Sequence, residues 1–185
     1  VQSKETYGKM NCKIINTRLG NIEYSSFGKG IPILFLHGGH SNCYEKLCNK
    51  GFDLTKFQLI TPSRPGYGKT PLSNKKTPKK AAELVIELLN NLSLEKVIVY
   101  GISAGGLTAI ELTANYPEKV NKLILASAVS KKWLDENGKT YKTAKMMFSP
   151  NIEKFIWSMV KFFSNVFPNM IAKSFYPQFS KNQLH

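Results

Sequence analysis

The chain has 185 residues, 42% hydrophobic and 21% charged, with a formal net charge of +14. That is enough apolar material for one buried core and too much for a disordered chain. No run of about 18 apolar residues occurs, as a membrane-crossing helix would need; the richest stretch, Phe155 to Phe167, is broken by Ser158, Lys161, Ser164 and Asn165.

Of the 26 basic residues only Arg18 and Arg64 are arginines, and the lysines are spread over both halves of the chain. Nucleic-acid surfaces lean on arginine for bidentate contacts. The excess therefore reads as a solvated lysine-rich surface, and neither a nucleic-acid nor a membrane partner is expected. Cys12, Cys43 and Cys48 are odd in number and form no Cys-x-x-Cys. This points to a reducing compartment, not a disulfide scaffold. Val1 to Thr6 lack the apolar segment of a signal peptide, so a cytoplasmic location is expected.

In chain order, Lys13 to Leu19 and Asn21 to Phe27 read as two strands joined by a tight turn at Gly20-Asn21. Ile31 to Leu36 is a continuous apolar run, the pattern of a strand buried on both faces in a parallel sheet. Phe57 to Thr61 is a further strand, closed by Pro62. Thr77-Pro78 opens a helix, with Thr77 as N-cap and proline where its missing N–H costs nothing. Its apolar stripe is Ala81, Val85, Leu88, Leu89 and Leu92, with Lys80, Glu83 and Glu87 facing away. Lys96 to Tyr100 is a strand, Gly101 to Gly106 a glycine-rich turn, Leu107 to Asn115 a helix and Lys122 to Ser127 a strand. This β-α-β alternation predicts an α/β fold with a mainly parallel sheet over residues 1–130. Residues 131–185 hold few strand signals. Phe155, Met159, Phe162, Phe163 and Val166 there mark an amphipathic helix packed on its neighbours.

Two segments carry chemistry. Gly101-Ile102-Ser103-Ala104-Gly105 follows a strand and precedes a helix. A serine on so sharp a turn needs strained backbone angles, and small flanking residues let the adjoining chains approach. His37-Gly38-Gly39-His40 ends another buried strand, where glycines leave backbone N–H groups able to face a developing oxyanion. Ser63-Arg64-Pro65-Gly66-Tyr67-Gly68-Lys69-Thr70 ends like a phosphate-binding loop. Ser63 stands in place of its first glycine, however, and Pro71 blocks the helix such a loop requires.

Together the His-Gly-Gly loop, the Arg64-Pro65-Gly66-Tyr67-Gly68 turn and the serine elbow resemble, in order, the α/β-hydrolase superfamily. Tyr116-Pro117-Glu118-Lys119-Val120 resembles it too. The resemblance implies Ser103 as nucleophile and the N–H groups of Gly39 and Ala104 as oxyanion hole. Gly38 is the alternate donor, and with His40 it is expected beside the substrate. It makes His37 structural and residues 131–185 a helical cap, in which Phe155 and Trp157 either shape the acyl pocket or, more simply, pack in the core. The Arg64 turn is expected to lie away from the chemistry.

The family's acid and histidine follow the nucleophile. Here only His185 follows it, since His37 and His40 precede Ser103, and Asp135 reads more simply as part of a solvent loop. The last two strands of the family fold are missing, which would leave Lys122 to Ser127 as a hydrophobic edge. The expectation is therefore a truncated serine hydrolase, inactive as this piece alone. Its substrate would be a small ester, thioester, lactone or carbon–carbon bond next to a carbonyl, and no metal or organic cofactor is indicated. The alternative is a non-catalytic hydrolase-fold protein that binds a small ligand.

Overall fold

The structure, a computed structural model, describes residues 11–45, 50–130, 141, 142, 145 and 153–179. Contacts divide the chain into two units, Val1–Lys132 and Trp133–His185.

The first unit begins with an antiparallel hairpin, β1 (Lys13–Thr17) and β2 (Gly20–Gly28). Thr17 pairs with Gly20, so the turn residues are Arg18-Leu19 and not the expected Gly20-Asn21. The Thr17 side chain decides this. Its hydroxyl donates to the Gly20 carbonyl at 2.8 Å and accepts from the Leu19 N–H at 3.1 Å, closing the turn earlier in the chain than Gly20-Asn21.

Strands β3 (Ile31–Leu36), β4 (Phe57–Pro62), β5 (Val97–Ile102) and β6 (Val120–Ala126) complete a six-stranded sheet of order β1-β2-β4-β3-β5-β6. β2 meets β4 antiparallel, and β4, β3, β5 and β6 run parallel. This is the expected α/β architecture. The period of two along β3 explains its unbroken apolar run. Leu34 and Leu36 face one core, with Ile60, Leu84, Val85, Leu88, Leu89, Val99 and Leu112. Ile33 and Phe35 face a smaller one with Leu59, against which Phe52, Phe57 and Tyr100 pack.

The larger core is closed by α1 (Pro78–Asn91) and α2 (Gly105–Asn115). Thr77 caps α1 as expected, its hydroxyl accepting from the Lys80 N–H at 3.2 Å. Glu87 does not face away. It is 8% exposed, held by the Arg18 guanidinium through Nη2 at 2.6 Å and Nε at 3.0 Å. The hairpin turn folds over this part of α1, a tertiary contact that helical spacing does not encode. Arg18 holds the Glu87 carboxyl below its ordinary pKa.

The cysteine count points away from disulfides, and the structure corrects this: Cys12 and Cys43 are joined. Cys12 precedes β1, and Cys43 lies in the connection between β3 and β4. Spacing along the chain says nothing about that adjacency. Strand β6 is last in the sheet order, with Ile124 and Leu125 exposed.

In the second unit, α3 (Glu153–Val166) and α4 (Pro168–Phe179) are described. The helix over Phe155 to Val166 forms where the spacing predicts. Phe162 stacks edge-on against Phe163 at 5.6 Å, yet among the described residues Phe155, Trp157, Met159, Phe162 and Val166 remain exposed, contrary to the packing expected of them. No helix among the described residues is long and apolar enough to cross a membrane.

Leu88 is fully buried between α1 and the sheet. Leu88→Ala is expected to destabilise the fold by about 2–5 kcal/mol through lost burial and the cavity left behind. Urea unfolding of the two proteins measures it.

Candidate active site

Parallel pairing brings the chemistry-bearing segments together. Leu36 at the end of β3 pairs with Gly101 near the end of β5. The loops that follow therefore leave the sheet side by side, on either hand of the strand-order reversal at β3.

The elbow has the strain its sequence predicts. Ser103 has φ of +49°, a left-handed conformation uncommon for a residue with a side chain. Its N–H reaches the Ala126 carbonyl at 3.3 Å, and its own carbonyl accepts from Gly106 at 3.0 Å and Val129 at 2.9 Å. The glycines around it are steric requirements. A Cβ on Gly105 would collide with the Leu36 carbonyl, and one on Gly101 would lie 2.7 Å from the Ala109 methyl. Ser103 itself is exposed.

Gly38 lies beside the serine. A Cβ placed on Gly38 would lie 3.2 Å from the Ser103 Cβ and 3.7 Å from its Oγ, while Gly39 opens to free space. Ala104 is the residue before the first turn of α2, where backbone N–H groups have no intrahelical acceptor. The dipole there favours negative charge. His40 is exposed, with φ of +57°.

His37 is structural, and the geometry says why. Its Nε2 accepts the Arg64 N–H at 2.9 Å, so the ring is neutral, with its proton on Nδ1 directed at the Gly38 carbonyl 2.8 Å away. Burial, opposed by that bond and reinforced by the Arg64 charge, lowers its pKa to about 4. It is 1% exposed. A histidine locked in this way has no nitrogen left to take a proton from Ser103.

The Arg64 turn corrects the sequence reading, because it does not lie away from the chemistry. Arg64 Nη2 donates to the Gly38 carbonyl at 3.0 Å, and Nη1 reaches the Ala104 carbonyl at 3.5 Å. One guanidinium thus ties the glycine loop to the elbow. It lies over the Tyr67 ring at 4.8 Å, and burial lowers its pKa. The turn is anchored in its turn by Glu23, a 2% exposed carboxylate. Glu23 Oε2 accepts from the Ser63 hydroxyl and the Lys69 N–H, both at 2.8 Å. Sequence reasoning missed both residues. The available signal was that Arg64 is one of only two arginines in the chain.

A cavity of about 280 Å³ borders the elbow from the α1 side, lined by Arg64, Leu72, Lys75, Ala104, Leu107 and Thr108 among others; Ser103 is not part of its wall. Asp135 and His185, weighed above as acid and base, lie outside the described residues.

Residues 31–160 match the family described as the alpha/beta hydrolase fold. The "uncharacterized hydrolase YcgS" of Bacillus subtilis is 44% identical over 161 residues, which are 87% of this chain and 57% of that protein. The "pimeloyl-[acyl-carrier protein] methyl ester esterase" of Vibrio campbellii is 30% identical over 145 residues, 74% of this chain and 56% of that protein. Among solved structures, an alpha/beta hydrolase fold protein from Nakamurella multipartita superposes with a TM-score of 0.62 at 28% identity, covering 78% of this chain and 54% of that one. The chain belongs to the alpha/beta hydrolase family. It spans little more than half the length of these relatives.

The neutral state of His37 sets a pH dependence. Its folded pKa of about 4 lies below the ordinary 6.5, so the unfolded chain binds the extra proton first. The contribution is complete above pH 6.5 and is lost as pH falls toward 4, reaching about 3 kcal/mol. Denaturant titrations across this window are expected to show a shallower acid slope for His37→Asn than for the parent.

Proposed function

We propose that the whole protein is a serine hydrolase acting on a small carboxylic ester or related acyl compound. Ser103 is its nucleophile, and the N–H groups of Gly39 and Ala104 are its oxyanion hole. The observation that carries this is the left-handed Ser103 on a strand-to-helix turn, set against the Gly38–Gly39 loop. A serine held so, with helix and loop N–H groups beside it, is suited to acyl transfer.

In this reading Ser103 Oγ attacks the substrate carbonyl carbon and the carbonyl electrons move to oxygen, where the Gly39 and Ala104 N–H groups receive the charge. Collapse expels the alcohol, and water then releases the acid from the acyl-serine. Gly38 is the second donor in reserve, and His40 meets the substrate at the mouth. Arg64 is a positioning residue that holds both donor segments in register. Hydrolysis by this course balances with serine and water alone and calls for no metal or organic cofactor. The general base is not His37, whose nitrogens are both engaged. It is supplied from outside the described residues. The name of the Vibrio relative supports an ester as substrate.

A fluorophosphonate is expected to label the protein purified from its own source and to fail with Ser103→Ala; equal labelling of the two removes Ser103 as nucleophile. Arg64→Met, with its fold checked by circular dichroism, is expected to label about tenfold to hundredfold more slowly, because the two donor segments lose their common tie.

A further inference from the structure

The Cys12–Cys43 bond sits where it bears on the site. Cys43 lies four residues beyond Gly39, in the β3–β4 connection that begins with His37. It is fully buried. Its N–H donates to Ser63 Oγ at 3.0 Å, and its carbonyl accepts from Ser25 Oγ at 2.7 Å. Ser63 in turn donates to Glu23, the carboxylate that anchors the Arg64 turn. The cross-link is therefore the covalent member of a network that ends on the Gly38 and Ala104 carbonyls. It closes 31 residues of chain between β1 and this loop.

We propose that Cys12 and Cys43 are a thiol–disulfide modification site, whose oxidised state holds the Gly38–Gly39 loop in place beside Ser103. The co-reactant is a low-molecular-weight disulfide or thiol. Cys12 is half-buried and is the sulfur such a molecule reaches; Cys43 is shielded. In oxidation, the Cys12 thiol loses its proton to solvent and attacks the disulfide R–S–S–R. The S–S bond breaks, RS⁻ leaves and a mixed disulfide forms. The Cys43 thiol loses its proton and attacks Cys12 Sγ, expelling the second RS⁻. Two protein thiols are oxidised and one R–S–S–R is reduced to two thiols. Reduction reverses these steps, starting at Cys12 with Cys43 as the leaving thiolate.

A carboxylate oxygen of Glu23 lies within 4.8 Å of both sulfurs. The cross-link thus sits against the carboxylate that anchors the Arg64 turn. Its influence reaches the site through backbone, because the loop is fixed by the sheet at Leu36 and by the bond at Cys43. The part of this inference that concerns Ser103 rests on the function proposed above; the redox couple itself does not.

The test compares the full chain after oxidised glutathione with the same chain after dithiothreitol. Iodoacetamide added on unfolding is expected to mark one cysteine, Cys48, in the first and all three in the second, read by intact mass. Hydrogen exchange across residues 38–42 is expected to be several-fold faster in the reduced protein, with no change in α1. Fluorophosphonate labelling of Ser103 is expected to be slower there as well. Cys48→Ser is expected to keep the response and Cys12→Ser to resemble the reduced parent. Three marked cysteines after oxidised glutathione would overturn the proposal, as would equal exchange at 38–42 in both states. Equal labelling would overturn the link to the site. Absence of labelling in both states would count against the Ser103 reading alone, because thiol count and exchange do not depend on it.

Discussion

Helix α2 meets the sheet closer than side chains allow, and the site exists because of that approach. Gly105 passes against the Leu36 carbonyl of β3, and Gly101 against Ala109 of the helix that follows its own strand. Only glycine leaves room for backbone to lie on backbone in this way. The closeness forces the chain to reverse between β5 and α2 in very few residues. Ser103 takes the left-handed angle of that reversal. A methyl group at either glycine would push α2 off the sheet and remove both the serine's strain and its position.

Around that contact the charged groups serve geometry. His37, Arg64 and Glu23 are the polar side chains concerned. In the structure each is engaged by backbone or by a hydroxyl. His37 accepts the Arg64 N–H, Arg64 donates to two carbonyls, and Glu23 accepts from Ser63 and Lys69. Buried polar groups need such partners. The result is a polar layer that fixes the Gly38 and Ala104 carbonyls. The Cys12–Cys43 bond adds a covalent tie to the same layer.

The fold class was legible because period and punctuation are local. The double-sided apolar run of Ile31 to Leu36, the Thr77-Pro78 start of α1 and the small residues around Ser103 each carry their meaning within a few positions. Glu87, Arg64 and the Cys12–Cys43 pair were misread because each depends on a distant partner. Thr17 moved the turn from Gly20-Asn21 to Arg18-Leu19 through its own side chain, a local effect hidden by the stronger glycine signal. Glu87 read as solvent-facing because the arginine that covers it is 69 residues away. Arg64 read as remote on the resemblance alone, while parallel pairing of β3 with β5 and β4 makes it a neighbour.

By itself the sequence determined the α/β alternation, the strained serine and the glycines that such a turn demands, since these follow from sterics within one strand-turn-helix unit. It also determined that no histidine follows Ser103 before His185. Only the tertiary structure decided which backbone groups come to face that serine, that His37 is neutral and occupied, and that Cys12 and Cys43 meet. Those facts depend on which strands lie side by side, and strand order is settled by long-range packing that no local pattern records.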